Sequence, residues 1–365
     1  MFHLAVMPGE GIGLEVMEAA QTVLAAVERR FGLGLKQELI EGGAHHYRDI
    51  GEILAPNGLQ RAGAADAILF GAMGWPDIRF SDGTEIAPQL DMRFAFELFA
   101  GVRPIRAIPG VRLALADPRA ARIDLVIVRE STEGMFASRG KGEVIDDREA
   151  RDTQVITRST TEKLTDFCCD LARRRRQSRG TPGRVTLVDK SNVFRSFAFM
   201  RQVFHETAAR HPDIEATHHY VDAMALDLVR RPWDFDVLPM ENLFGDILSD
   251  LGAGLIGGMG FAPSADIGAK HGLFQPSHGT APDIAGQGIA NPTAMILSAA
   301  MMLEWLGASR DSAAARDAAA AVERAVDQVF GEMGLRTYDL GGSSGTKVVG
   351  DAVAGLIESG GADPQ

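Results

Sequence analysis

Four strand-length apolar runs stop at charged or amide side chains. DLVIVRE ends in Arg129 and Glu130, RVTLVDKSN in Asp189, Lys190 and Asn192, HHYVDA in Asp222, and FDVLPMEN in Glu241 and Asn242. Helically spaced segments separate apolar runs of this kind, and the alternation predicts an α/β protein with substantial parallel sheet. Open α/β sheets bind ligands beyond the carboxyl ends of their strands. One charged strand end means little; four point to a shared site.

The chain is long enough for such a sheet. Its 365 residues, 45% of them apolar, suggest about two domains. There is no internal repeat and no Pro/Ser-rich linker, so two domains must share strands or exchange segments. The strongly apolar stretch AMILSAAMML (294–303) is too short to span a bilayer. The N-terminal MFHLAVMPGEG lacks the basic and long apolar regions of a secretory signal, so no membrane partner is expected. A net charge of −12 argues against nucleic acid as a partner. The dense basic run RRRRQSR (173–179), before GTPG, reads as cations at a helix C-terminus. The two cysteines, Cys168 and Cys169, are sequence neighbours that make a poor disulfide and match no metal spacing. A reducing, cytoplasmic setting follows as an expectation. The alanine-rich 308–333 segment reads as a surface helix, and the final GADPQ as a frayed tail.

VMPGEGIGLEV (6–16) invites comparison with a dinucleotide-binding loop. Its spacing is Gly9-x-Gly11-x-Gly13 instead of G-x-G-x-x-G, and no acid closes a second strand at the required distance. A tight strand-to-helix turn explains it. PMENLFGDILSDLGAGLIGG (239–258) carries more chemistry. Asp246 and Asp250 fall one helical turn apart and share a face, with Gly252 and Gly254 expected to end the helix. A like-charged pair at that spacing costs a few tenths of a kcal/mol. A solvated face is the plain explanation for such a pair alone. Asp222, Asp246 and Asp250 together, oxygen donors without His or Cys, suit a hard ion such as Mg²⁺ or Mn²⁺. Arg93 and Arg103 flank an apolar helical stretch, and Arg129 ends a strand. Each alone reads as a structural ion pair, but three converging guanidiniums suit a substrate with two carboxylates. Lys190 at a strand end is placed to act as a base. Arginines, a hard metal and a lysine base describe oxidation of a hydroxy-dicarboxylate.

From PGEGIG through VRESTEG, VDKSNV, YVDAMA, NLFGDILSDL and HGTAPDIAGQGIANP to DLGGSSGT, the chain resembles the β-decarboxylating dehydrogenases. These are the 3-isopropylmalate, isocitrate, homoisocitrate and tartrate/D-malate enzymes, and the stretch from GDILSDL onward looks closest to the 3-isopropylmalate group. The resemblance implies a two-domain isopropylmalate/isocitrate dehydrogenase-like α/β fold, not a Rossmann fold. Residues 1–98 and 256–365 would form a discontinuous cofactor-binding domain, and 99–255 a central domain with the dimer interface. It implies a homodimer with shared active sites. Asp222 would reach the metal held by Asp246 and Asp250 from the partner subunit, and Lys190 would be the general base given across the dimer. Arg93, Arg103 and Arg129 match the arginines that grip the malate moiety. His278 and Asn291 match adenine-contacting positions, Gly279, Thr280 and Ala281 the loop backbone, and Glu85 a residue near the nicotinamide. Asp283 falls where NAD-dependent members accept the ribose hydroxyls. A carboxylate there repels a 2′-phosphate, so NAD is expected over NADP.

Two departures stand out. The family's catalytic tyrosine, which helps protonate the enol after CO₂ leaves, aligns with Phe136. General acid assistance is worth ~10²–10⁴-fold, so either another group takes over or the reaction stops at oxidation. Two leucines of 3-isopropylmalate dehydrogenases that contact the isopropyl group align with Gln89 and Leu90. An unpaired polar Gln in an apolar subsite costs on the order of 1–3 kcal/mol, which points to a smaller or polar substituent. Ala87 and Gln89 stand where an isocitrate site would have serine and asparagine. The expected activity is therefore 3-isopropylmalate dehydrogenase-like oxidation of a 3-substituted (2R)-malate, with tartrate/D-malate and isocitrate-like substrates as alternatives. A non-catalytic regulatory subunit is the alternative of another class; the intact charge cluster argues against it.

Overall fold

The computed structural model describes residues 1–361, so the expected tail GADPQ lies outside the described residues from position 362 on. The chain divides into two compact units. One holds Met1–Phe96, Ile108–Ala114 and the residues from Ile256; the other holds Glu97–Ala107 and Leu115–Leu255.

In the first unit the strands lie in the order Leu35–Leu39, Phe2–Met7, Ala67–Phe70, Gly272–Pro276 and Pro263–Ile267. All are parallel except the last, which returns antiparallel. Helix Thr293–Ser309, which contains the apolar run at 294–303, packs on the last two strands and is buried on most sides. The alanine-rich segment forms helix Ala313–Gly331, with the Ser312 hydroxyl capping it by accepting from Ala315 N–H. It is no plain surface helix: Ala315, Ala318, Ala321, Val322, Ala325 and Val329 are buried. Small side chains bring it close to helix Thr293–Ser309, so alanine here serves packing as well as propensity.

The glycine loop is the tight turn its spacing suggests. Glu10 N–H donates to the Ala72 carbonyl and Ile12 N–H to the Thr280 carbonyl. A Cβ on Gly9 or Gly11 would collide with those same oxygens. The glycines admit one chain segment against another, and these amides are already paired. A phosphate cradle needs amides aimed outward, so the fold is not Rossmann.

In the second unit strand Ala100–Arg106 runs antiparallel to Asp124–Glu130. Strands Asp124–Glu130, Val237–Met240, Arg184–Asp189 and Glu215–Tyr220 then follow as parallel neighbours. These are the four charge-ended runs, so their carboxyl ends lie along one edge. Asp222 itself falls in the first turn of the next helix, Val221–Arg230. Helix Arg158–Arg179 ends in its basic run before the left-handed Gly180. More than the dipole holds those cations: Arg175 is buried against Asp236 at 2.8 Å, and Arg173 pairs with Asp170 and Asp213. Cys168 and Cys169 on this helix are buried free thiols. A short hairpin, Glu143–Ile145 with Glu149–Arg151, stands apart from the sheet. Among the described residues no helix is long and apolar enough to cross a membrane.

Candidate active site

Helix Asn242–Leu255 carries Asp246 and Asp250. Gly252 and Gly254, expected to end it, lie inside it, and Gly245 and Gly252 serve packing instead. A Cβ on Gly245 would sit 2.6 Å from Arg129 Cβ, and one on Gly252 2.8 Å from Ile105 Cδ1. These two positions, two turns apart on one face, let the helix lie close against strands Ala100–Arg106 and Asp124–Glu130. The close approach offsets a propensity cost of about 1 kcal/mol per glycine.

It also sets Asp246 beside Arg129, which is only 4% exposed. Arg129 Nη1 donates to Asp246 Oδ1, and Nε donates to Asn242 Oδ1 at 2.7 Å. The Phe136 ring covers the guanidinium, 4.8 Å from Cζ to the ring centroid. Burial and the repulsion of Asp246 push the Asp250 carboxyl above the usual aspartate range, while Arg103 and Arg129 pull it back. Arg103 is itself buried on its strand. Arg103, Arg129, Phe136, Asp246 and Asp250 thus form one cluster of guanidiniums and carboxylates.

Lys190 and Asp222 form a second cluster. Their strands are in register, with Asp189 opposite Tyr220, and Lys190 Nζ donates to Asp222 Oδ1 at 2.6 Å. That bond holds the Asp222 carboxyl below its usual range. Among the described residues no three His, Cys, Asp or Glu side chains gather as a metal group. Asp222 therefore does not join Asp246 and Asp250 within one chain. Asp222 shares its helix face with Leu226 and Val229, and Asp250 shares its own with Leu243 and Ile247. These four apolar side chains are exposed, Ile247 by 60%.

The first unit holds the other expected residues. Arg93 is buried in an ion pair, its Nη2 3.0 Å from the fully buried Asp266. Gln275 Nε2 donates to the same Asp266 oxygen at 2.9 Å. One turn before Arg93 lies Gln89, whose Oε1 is buried without a hydrogen-bond partner, and Leu90 follows it. Glu85 is exposed, and a Cβ on Gly74 would meet its carboxylate at 2.7 Å. His278 Nδ1 lies 3.0 Å from the Gly279 carbonyl, and Nε2 is buried with no partner. Burial lowers the His278 pKa, so Nδ1 carries the proton it donates and Nε2 is left an acceptor. Thr280 Oγ1 donates to the Gly74 carbonyl at 2.7 Å. Ala281 holds φ of 37°, a strained value for a residue with a Cβ. Asp283 is exposed. Asn291 Nδ2 donates to Asp339 Oδ2 at 3.1 Å, and its Oδ1 accepts from Thr293 N–H.

Sequence reasoning missed Asp266 and Asp339, each a partner of an expected residue. It noted Glu241 and Asn242 at a strand end but gave them no task. Their position was the signal.

The sequence profile described as isocitrate/isopropylmalate dehydrogenase matches residues 3–353. A 3-isopropylmalate/3-methylmalate dehydrogenase of Methanocaldococcus jannaschii is 40% identical over 97% of this chain and 98% of its own. A 3-isopropylmalate dehydrogenase of Hahella chejuensis is 41% identical over 97% of this chain and 98% of its own. Among solved structures, an isocitrate dehydrogenase from Methylococcus capsulatus superposes with a TM-score of 0.85 at 36% identity, covering 98% of this chain and 100% of that one. A β-decarboxylating dehydrogenase from Thermococcus kodakarensis gives 0.80 at 36% identity, covering 98% and 97%. The chain belongs to the isocitrate/isopropylmalate dehydrogenase family and is an oxidoreductase of the β-decarboxylating dehydrogenase type.

Proposed function

We propose that this protein is an NAD- and divalent-metal-dependent dehydrogenase. It oxidises the hydroxyl of a 3-substituted (2R)-malate, with β-decarboxylation, as a cytoplasmic homodimer. The observation that carries the reading is Arg129 paired to Asp246, with Asp250 one turn on and Arg103 acting on it. Guanidiniums that bind carboxylates stand beside carboxylates that bind a cation.

Asp246 and Asp250 fit a hard ion: both offer only oxygen, and a cation would offset the burial and the repulsion that together raise Asp250. Bound Mg²⁺ or Mn²⁺ would supply a Lewis acid at the substrate's reacting oxygen. The orphaned acceptor on His278 fits an amino donor such as that of adenine. Asn291 and the backbone of Gly279, Thr280 and Ala281 would complete the adenosine site, with Glu85 near the nicotinamide. Asp283 would accept the ribose hydroxyls and repel a 2′-phosphate, which favours NAD over NADP. Bound NAD⁺ would accept the hydride. In this reading Arg93, Arg103 and Arg129 hold the substrate carboxylates, and Lys190 takes the hydroxyl proton.

The dimer completes the metal site. Asp222 is not with Asp246 and Asp250 in one chain. A second copy laid over Leu226, Val229, Leu243 and Ile247 would cover an exposed apolar stripe and bring in its own Asp222 and Lys190. The buried thiols of Cys168 and Cys169 suit a reducing compartment.

NADH and CO₂ formation from 3-isopropylmalate, D-malate, tartrate and isocitrate, with NAD⁺ and Mn²⁺, tests the reading. Equal NADH and CO₂ from one substrate supports it and names the substrate. NADH without CO₂ leaves a plain dehydrogenase. Retained NAD binding without turnover revives a regulatory subunit. The second reading, a polar C3 substituent as in tartrate, is favoured by the unpaired Gln89 Oε1, to which a substituent hydroxyl would donate.

A further inference from the structure

We propose that Asn242 is the positioning residue that aims Arg129. The inference rests on the reading of Arg129 as a carboxylate-binding group. Asn242 opens helix Asn242–Leu255 directly after the strand-end residue Glu241, and it is fully buried. The strand before it pairs with the strand of Arg129, Met240 lying opposite Arg129. Its Oδ1 accepts from Arg129 Nε at 2.7 Å, and its Nδ2 donates to the Glu133 carbonyl at 3.0 Å. The partners fix which way the amide points, because Nε–H only donates and a carbonyl only accepts.

The guanidinium is planar, so a bond to Nε sets its rotation about the end of the side chain. With Nε on Asn242, Nη1 donates to Asp246. Phe136 closes one face. At Gly245 the absent Cβ leaves room for the stem, since a Cβ would lie 2.7 Å from Arg129 Cγ. Glu241 steadies the mount: its carboxylate accepts from Leu243 and Phe244 N–H at the start of the helix and from Met135 N–H beside Phe136.

Without Asn242, Nε–H loses the bond that sets the rotation of the guanidinium. The favoured remedy is the two-pronged Arg–carboxylate fork, in which Arg129 turns side-on to Asp246. That turn moves the guanidinium off its substrate and engages a carboxylate the metal needs. Asn242 prevents this by taking Nε first.

The test uses full-length ¹⁵N-labelled protein and follows the Arg129 Nε–H resonance, assigned by its loss in Arg129→Lys. Asn242→Ala is expected to shift that resonance and speed its solvent exchange. It should raise KM for the oxidised hydroxy-dicarboxylate by ~10- to 100-fold, the range for a reacting group misplaced by about 1 Å. KM for NAD⁺ should stay within about twofold if aiming alone is lost. Asn242→Asp keeps an acceptor for Nε but gives up the donor to Glu133, so it should preserve the slow Nε–H signal and much of the substrate affinity. It decides the matter even where alanine does not fold. An unchanged Nε–H in Asn242→Ala overturns the proposal. So does an Asn242→Asp variant as impaired as alanine, which would make the Glu133 tie the important one. If the wild-type protein oxidises no hydroxy-dicarboxylate, the functional reading falls, while the Nε–H resonance alone still decides whether Asn242 aims Arg129.

Discussion

Two glycines on one helix should respond to alanine with opposite signs. A Cβ on Gly245 would lie 2.6 Å from Arg129 Cβ, 2.7 Å from Cγ and 3.0 Å from Cα, so two of its three nearest neighbours are the base of a side chain and one is backbone. None of these can swing away, and the helix must retreat by on the order of 1 Å to reach ordinary contact distance. Overpacking of this kind costs about 1–3 kcal/mol, while removing a helical glycine returns about 1 kcal/mol. Gly245→Ala should therefore be destabilising by roughly 0–2 kcal/mol. Gly254, on the same helix, has nothing of its own chain within 4 Å of its Cβ position, so Gly254→Ala should stabilise the chain by about 0.5–1 kcal/mol where no second copy covers that face. Thermal unfolding of both variants reads the sign, and substrate KM reads the site. Gly245→Ala should raise that KM, because retreat of the helix pulls Asn242 and Asp246 from Arg129; Gly254→Ala should leave it alone. Equal melting temperatures together with equal KM values would show that the approach of helix to strand does not set this site.

Other substitutions probe the charges. Asp250→Asn removes a carboxyl that burial and Asp246 hold above its normal range. The metal-free protein should therefore gain stability at pH 7, the gain fading as acid protonates the native Asp250, while Mn²⁺ binding by calorimetry is lost. Glu130 is pushed up to about 7 by burial, so its ionisation in the folded state is unfavourable. Relative to an unfolded glutamate near 4.3, stability should fall as pH rises from about 4 to 7 and then level off, by roughly 4 kcal/mol. Urea unfolding across pH should show Glu130→Gln flattening that fall. Phe136→Tyr keeps the ring over Arg129 and adds a hydroxyl; kcat should rise while substrate KM stays within about twofold, and an unchanged kcat would show that water already supplies the proton fast enough. Lys190→Ala and Arg129→Ala, each inactive alone, should recover about a quarter of the activity when co-expressed if sites are shared, since random pairing makes half the dimers mixed and each mixed dimer has one intact site.

The parts of the site legible in sequence were those written in charge. Four apolar runs ending in charged or amide residues are four parallel neighbours, because an apolar run can stay buried only up to the edge where ligands meet solvent. Glycine was harder to read. In GDILSDLGAGL it signals a helix end by propensity, yet Gly245 and Gly252 are there because strands lie against them. Alanine was equally ambiguous, for the segment at 313–331 scores as a good helix whether its alanines face solvent or the core. Asp266 escaped for a different reason, as did the task of Asn242: each meets an arginine brought near by the fold, and neither spacing nor charge announces such a partner. The hairpin at 143–151 escaped because it is short and charged.

The cluster around Arg129 also separates two tasks that a single tyrosine would combine at position 136. An aromatic ring there can close the guanidinium's face, and a phenol can also give a proton. Phe136 keeps the first task, with its ring 4.8 Å from the guanidinium carbon, and cannot perform the second. Retaining the ring is intelligible if the aim of Arg129 matters at every step that involves the substrate carboxylate, oxidation included. Losing the hydroxyl touches only the step after CO₂ leaves, where water is an alternative donor. The substitution should thus slow protonation of the product without loosening the site that binds the substrate. On this account, binding and oxidation depend on the Asn242–Arg129–Asp246 arrangement, and the fate of the oxidised product depends on what donates a proton beside Phe136.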